Sequence, residues 1–139
     1  MNRDEFYEER ILWRTNQNRL LEKRCNLFLE IRMEQKQHII NTIGIDINPI
    51  LVFWDSAKKW TVLGSKAICS YHDEELSIVD LDDIHKKISI WDANEPNVGS
   101  IKTEANMLLL EKVNKIIWVP AGAELFGLMN ILLMFPLNK

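Results

Sequence analysis

The chain has 139 residues and a mass of 16.3 kDa, with 47% hydrophobic residues, 27% charged residues and a formal charge of −3. This composition is typical of one globular domain with its own core, and it excludes a disordered chain. The charged N-terminus lacks the apolar stretch of a signal peptide, and the apolar run Leu125–Leu137 is shorter than the roughly 20 residues that span a bilayer, so we expect a cytoplasmic protein.

Positive charge is distributed unevenly along the chain. All six arginines lie within residues 1–43, whereas residues 44–139 contain nine lysines, no arginine and 13 acids. Arginine is the residue best suited to bidentate contacts with phosphate groups. A segment without arginine is therefore a poor surface for nucleic acid or phosphoinositides, and we expect no nucleic-acid partner.

Residues 1–43 contain no glycine and no proline and predict a long helix. Apolar residues recur every seven positions in this segment, at Phe6, Trp13, Leu20 and Leu27. Such a stripe packs either on the rest of the domain or on a second copy in a homodimer. Low helix propensity at Thr15–Asn18 would divide the segment into two helices, and Gly44 predicts its end.

From Pro49 to Pro120 the pattern changes to short β-branched and aromatic runs separated by turn residues. We predict about seven antiparallel strands in one rolled sheet. They are expected at Ile50–Trp54, Trp60–Leu63, Lys66–Tyr71, Leu76–Asp80, Ile88–Trp91, Ile101–Thr103 or Met107–Glu111, and Lys115–Val119. The polar stretch 92–99 is predicted to be the longest loop.

A final apolar helix is predicted over residues 123–135, because Leu125, Leu128, Met129 and Leu132 have helical spacing. A helix this apolar must be covered, so it either closes an open end of the sheet or meets the N-terminal helix. The predicted fold class is α+β. Residues 1–43 form a helical segment and residues 44–139 a β-roll with its closing helix, in one compact unit.

The strand, polar bend and second strand at Trp60–Ile68, the segment Leu76–Ile84 and the terminal helix together resemble the pleckstrin-homology-like superfold, including its GRAM and bacterial variants. The resemblance covers residues 50–136 and implies the rolled sheet with a closing helix. It also implies a second function, that of a membrane-surface or lipid-binding module. Lipid-binding members typically have a cluster of Lys and Arg between the first two strands, where this chain has only Lys58 and Lys59. That difference argues against a membrane partner.

Motifs for catalysis, cofactors and metals are missing from the sequence. Cys69 and His72 have a C-x2-H spacing, but a structural zinc site needs about four ligands and there is no second cysteine pair. Gly64-Ser65 is not part of a G-x-S-x-G elbow, and no phosphate-binding loop is present. We predict a protein that is not an enzyme and that uses no cofactor or metal. Cys25 and Cys69 are expected to be buried free thiols, with a disulfide as the alternative.

Acidic residues cluster between residues 73 and 83. The cluster comprises Asp73, Glu74, Glu75, Asp80, Asp82 and Asp83. Such a cluster is either a solvated turn or a docking surface for a basic protein, since grouped charges steer association. Trp60 and Trp91 are added as interface anchors, because exposed tryptophans are typical of interfaces.

The resulting hypothesis is a small module that binds a basic protein partner through these acids and tryptophans. In bacteria, chains of this size and character serve as immunity or antitoxin proteins, which neutralise a toxin by binding it directly. That analogy rests on general character alone.

Overall fold

A computed structural model describes residues 2–91 and 104–137. These residues form three α-helices and eight antiparallel strands in two sheets, which confirms the α+β class. The strands thus divide between two sheets instead of forming one roll. The loop predicted at residues 92–99 and the alternative strand at 101–103 lie outside the described residues.

The N-terminal segment begins with helix α1, Arg3–Gln17, which is capped by the Asn2 side chain accepting from the Glu5 N–H at 2.8 Å. The helix ends where its propensity is lowest, and Arg19 takes a left-handed conformation. The alternative of two helices divided near Thr15–Asn18 is confirmed, but residues 18–32 between them are not α-helical as the continuous pattern predicted. They form two 3₁₀ turns and strand β1, Asn26–Leu27, before helix α2 at Met33–Ile43.

The larger sheet is a meander in which each strand pairs with the next in the order β1-β2-β3-β4-β5. The four longer strands are β2, Pro49–Ser56; β3, Lys59–Gly64; β4, Ala67–His72; and β5, Glu75–Asp80. The smaller sheet has the order β6-β7-β8, with β6 at Ile88–Ile90, β7 at Met107–Leu110 and β8 at Lys115–Trp118. Strand β8 lies against β4, so the two sheets share one core.

Helix α3, Ala123–Leu132, meets the N-terminal segment, which is one of the two predicted arrangements. Leu125, Leu128 and Ile131 have no exposed surface. The approach is close at Gly127, where an added Cβ would lie 2.5 Å from Leu20 Cδ2. None of the helices in residues 2–91 and 104–137 is long and apolar enough to cross a membrane.

The larger sheet has an apolar layer on each face. One layer contains Phe53 and Leu63 together with α1, α3 and the smaller sheet. The other contains Val52, Trp60 and Val62 packed with Ile39 of α2. Both faces of the central strands are therefore covered, and the edge strand β5 is the part of the sheet where apolar side chains remain exposed.

The apolar stripe predicted for the N-terminal segment is confirmed in part, because Phe6, Leu20 and Leu27 pack with the core while Trp13 is 44% exposed. The fully buried residues of α1 are Tyr7, Ile11 and Thr15. Since α1 ends at Gln17, Leu20 and Leu27 do not continue one helical face. Pairing of this segment with a second copy stays a prediction.

Candidate docking surface

The hairpin formed by β4 and β5 carries the first three acids of the cluster at its tip. A two-residue turn, Asp73-Glu74, joins the strands, and His72 pairs with Glu75 beside it. Both turn residues have positive φ, 51° and 64°, as a type I′ turn requires. The turn thereby presents three consecutive carboxylates at one end of β5, and all three residues are exposed.

Strand β5 is an edge strand with outward-facing backbone groups. In an antiparallel ladder, hydrogen-bonded and non-hydrogen-bonded pairs alternate, and Leu81 N–H donates to Lys66 O at 2.9 Å. The pair of Lys66 and Leu81 is therefore hydrogen-bonded. Every second pair from it along the register is hydrogen-bonded too, and these pairs contain Glu75, Ser77 and Val79 of β5. The N–H and C=O groups of Leu76 and Ile78 therefore point away from β4, and no other strand of the described residues pairs with them.

The side chains of Leu76 and Ile78 are 40% and 51% exposed. They lie opposite Tyr71 and Cys69 of β4. This is the face of the sheet on which α2 packs, over the neighbouring strands β2 and β3. Leu76 and Ile78 together extend that apolar face to the open edge. The sequence shows that the two side chains share one face, but it does not show where α2 lies on that face, so their exposure was not predicted.

The opposite face of the hairpin borders a cleft of about 290 Å³ beside the smaller sheet. Asp73, Glu75, Trp91 and Lys115 line it, together with His72. His72 Nε2 lies 3.0 Å from the Ile116 carbonyl, and its Nδ1 lies 3.0 Å from Asp73 Oδ2. Both neighbours are hydrogen-bond acceptors, so a neutral imidazole donates to one of them at a time, and the contact with Ile116 ties the hairpin tip to β8.

The remaining three acids lie at the other end of β5, about 20 Å from the tip for a strand of this length. Asp82 Oδ2 accepts from Arg3 Nη2 at 3.0 Å, and its other oxygen accepts from the Tyr7 hydroxyl. Burial opposes ionisation, but these hydrogen bonds outweigh it and lower the pKa of Asp82. Asp80 accepts from the Asp82 backbone at 2.9 Å. Two of these three acids therefore also stabilise the fold.

The two predicted tryptophan anchors occupy different environments. Trp60 has no exposed surface, because its side chain points from β3 into the layer under α2. It is a core residue, which corrects its placement on a surface. Trp91 follows β6, is partly exposed and lines the cleft beside Glu75. Of the predicted residues, the structure therefore brings together Asp73, Glu75 and Trp91, with Glu74 adjacent.

Neither cysteine offers a reactive thiol. Cys25 and Cys69 are free and buried, as predicted, and burial raises the pKa of each thiol to about 12. Within residues 2–91 and 104–137, no three side chains of His, Cys, Asp or Glu are grouped so that they could hold a metal ion.

We call Asp73, Glu74, Glu75, Leu76, Ile78 and Trp91 the β5 surface. It combines carboxylates, exposed aliphatic side chains, a partly exposed indole and open backbone groups. No protein-family model, no curated protein and no solved structure matches this chain.

Proposed function

We propose that this chain is a non-enzymatic module that binds one basic protein partner through the β5 surface. The observation that carries the proposal is an open sheet edge with exposed Leu76 and Ile78, placed directly beside three exposed acids. Protein interfaces combine apolar contact area with polar and charged groups, and this edge presents both, on its two faces.

Charge on the hairpin favours a basic partner. Residues 66–83 contain six acids and one lysine. In the described part of the chain, no lysine or arginine lies within ion-pair distance of Asp73, Glu74 or Glu75, and Asp73 contacts only the neighbouring His72. Uncompensated charge of one sign raises the association rate with an oppositely charged protein and disfavours partners of the same sign.

The state of the reactive groups supports binding over catalysis. His72 lies within hydrogen-bond distance of the Ile116 carbonyl and of its neighbour Asp73, and the two thiols are buried with raised pKa values. His85 is exposed beyond the far end of β5. The two histidines therefore do not converge on one cleft with the acids.

The lipid-binding alternative loses its main structural support. The apolar C-terminal helix suggested a membrane-facing surface, yet its Leu125, Leu128 and Ile131 are fully buried against the rest of the domain. A pleckstrin-homology-like arrangement and a cytoplasmic location remain proposals. The α+β class with antiparallel strands is compatible with the former.

The specific form of the proposal is an immunity or antitoxin protein that neutralises a toxin by direct binding. Gene neighbourhood tests this form separately from binding itself. A toxin-like gene adjacent to the gene for this chain supports it, and co-expression that fails to relieve the toxicity of that neighbour counts against it.

Affinity capture from the native host tests binding. The probe is the full chain, compared with a variant in which Asp73, Glu74 and Glu75 are changed to Lys. A control variant changes Glu9, Asp46 and Glu111 to Lys; these residues are exposed, lie outside the β5 surface and undergo the same change of charge. We expect one stoichiometric protein with the wild type and the control, and its loss with the hairpin variant. Equal capture by all three chains, or no stoichiometric partner, would refute the proposal.

A further inference from the structure

We infer that the partner binds by strand addition, with an extended segment that pairs with β5 and carries aliphatic side chains on the α2 side and a basic side chain beside Glu75. This inference rests on the proposed function and specifies how the partner is recognised. The partner segment would form a sixth strand of the larger sheet. Main-chain hydrogen bonds would bind it at the edge, and side chains would contact it on both faces.

Among residues 2–91 and 104–137, the outer side of the β5 backbone has no strand paired with it. Leu76 and Ile78 each direct one N–H and one C=O outward, so the edge offers two donors and two acceptors to an incoming strand. Backbone groups of this kind must bond to water or to another chain. Strand β5 has six residues, the ordinary length for a strand in a sheet.

Strand β5 itself lacks three features that commonly block strand addition. Natural edge strands are commonly protected by a lysine, a proline or a bulge. Residues 75–80 contain neither Lys nor Pro, and their register with β4 is regular over all six pairs. The strand is therefore a regular template as well as an exposed one.

The two faces of β5 specify different side chains in the added strand. Side chains alternate between the faces of a sheet, and residues on neighbouring strands meet on the same face. On the α2 side, an incoming aliphatic residue would contact Leu76 and Ile78. On the cleft side, an incoming lysine or arginine would lie near Glu75 and the neighbouring Asp73. The expected segment therefore has aliphatic residues opposite Leu76 and Ile78 and a basic residue at the end that lies beside Glu75.

A second copy of this chain is a poorer occupant than a basic protein. Antiparallel pairing of two β5 strands would bring the acidic tip of each copy towards Asp80 of the other. Each copy carries four acids and no lysine in this hairpin, so the two edges repel. The same charges attract a basic segment, and for that reason we commit to a heterologous strand.

Selection from a display library of random peptides, each about a dozen residues long, tests the inference on the full chain. We expect enrichment of peptides that have aliphatic residues at alternate positions and a basic residue at one end of that run. In the wild-type complex, hydrogen exchange of the Leu76 and Ile78 amides should slow when such a peptide is bound, because these N–H groups become donors to it. No enrichment, or enriched peptides that leave both amides unprotected, would overturn strand addition.

A proline variant isolates the contribution of the backbone. Ile78→Pro removes an outward N–H and leaves the bonded pairs with β4 in place, and edge strands tolerate proline at such positions. Its matched control is Ile78→Ala, which removes the side chain and keeps the N–H. We expect Ile78→Pro to weaken binding of a selected peptide about tenfold relative to Ile78→Ala. Equal affinities for the two variants would contradict the inference. If Ile78→Pro does not fold, the exchange measurement on the wild type decides.

The outcomes separate this inference from the proposed function. If the lysine substitutions at the hairpin tip abolish capture of the host partner while Ile78→Pro does not, the binding module stands and strand addition is wrong. If neither change affects capture, both are wrong. If light scattering shows a dimer of the wild type that Ile78→Pro dissociates, the occupant is a second copy and the heterologous strand is refuted.

Discussion

The backbone N–H of Trp118 donates to the hydroxyl of Ser70 at 2.9 Å, which joins the outer strand of the small sheet to the middle of the large one. The Trp118 carbonyl accepts from the Thr61 hydroxyl, and the two hydroxyls lie 2.8 Å apart. Since Thr61 donates to the carbonyl, Ser70 must donate to Thr61. The four groups thus form a closed network in which Thr61 and Ser70 have no exposed surface.

This network predicts a large cost for removing either hydroxyl. Ser70→Ala leaves the Trp118 N–H without a partner in a buried site, and Thr61→Val does the same to the carbonyl. We expect each change to lower the free energy of unfolding by about 1–3 kcal/mol. The double variant should lose less than the sum of the single losses, because the hydroxyls bond to each other. Urea denaturation measures all three.

The control for this prediction is Ser77→Ala, which removes a partly exposed hydroxyl on the neighbouring strand. A change within about 0.5 kcal/mol is expected there, as for most surface substitutions. Fully additive losses for Thr61 and Ser70 would show that the two hydroxyls act independently.

The strands could be predicted from the sequence because their signals are local. The segment expected at Trp60–Leu63 forms Lys59–Gly64, and that expected at Leu76–Asp80 forms Glu75–Asp80. Alternation of side chains and the turn residues between runs are enough to locate these elements. Their division into two sheets depends on contacts between β8 and β4, which no local pattern reports.

Residues 18–32 could not be predicted for the same reason. Strand β1 exists because Asn26 and Leu27 pair with Val52 and Leu51, far along the chain. Helix propensity in this segment is outweighed by that pairing. The position of α2 also follows from it, and α2 decides that Trp60 is buried while Ile78 is exposed. The acids of the site were therefore identifiable from sequence, whereas the aliphatic half of the site was not.

The pair formed by Arg24 and Glu124 predicts a second stability effect. Glu124 is 5% exposed, and its Oε2 accepts from Arg24 Nε at 2.6 Å and from the Arg24 backbone at 3.3 Å. Burial opposes ionisation, but the bonds from Arg24 outweigh it and lower the pKa of Glu124. Arg24→Ala leaves a buried carboxylate with one weak partner, so we expect a loss of about 2 kcal/mol at neutral pH.

The comparison for Arg24→Ala is Glu22→Gln, which breaks the exposed pair between Arg19 and Glu22 at 2.9 Å. Surface pairs contribute little, and we expect a change below about 1 kcal/mol. The difference between wild type and Arg24→Ala should also narrow as pH falls below about 4.3, where protonation removes the unpaired charge. Equal losses from the two variants would contradict the prediction.

The hairpin turn predicts a conflict between stability and binding. Glu74 has a φ of 64°, a conformation that glycine adopts without strain. We expect Glu74→Gly to stabilise the fold by about 0.5–1 kcal/mol in thermal or urea denaturation. The same change should weaken partner binding, because it removes one acid of the β5 surface. Glu74→Gln keeps the strained backbone and removes the charge, so it should weaken binding without stabilising the fold. Stabilisation by both variants would show that charge repulsion, and not backbone strain, is relieved.

The contact of Asp82 with Tyr7 and Arg3 predicts a specific dependence of stability on pH. The folded-state pKa of Asp82 lies below its unfolded value of about 3.9. A lowered carboxyl pKa stabilises the fold above that unfolded value, and the contribution is lost as pH falls through the folded-state pKa. Asp82→Asn should therefore be less stable than the wild type at neutral pH, with a difference that shrinks below about pH 4.

Asp83→Asn is the control, since Asp83 is exposed and makes no side-chain hydrogen bond within the described residues. Urea denaturation at a series of pH values measures how much each variant differs from the wild type in free energy of unfolding. If the difference for Asp82→Asn stays constant down to about pH 2, the carboxylate charge of Asp82 does not stabilise the fold.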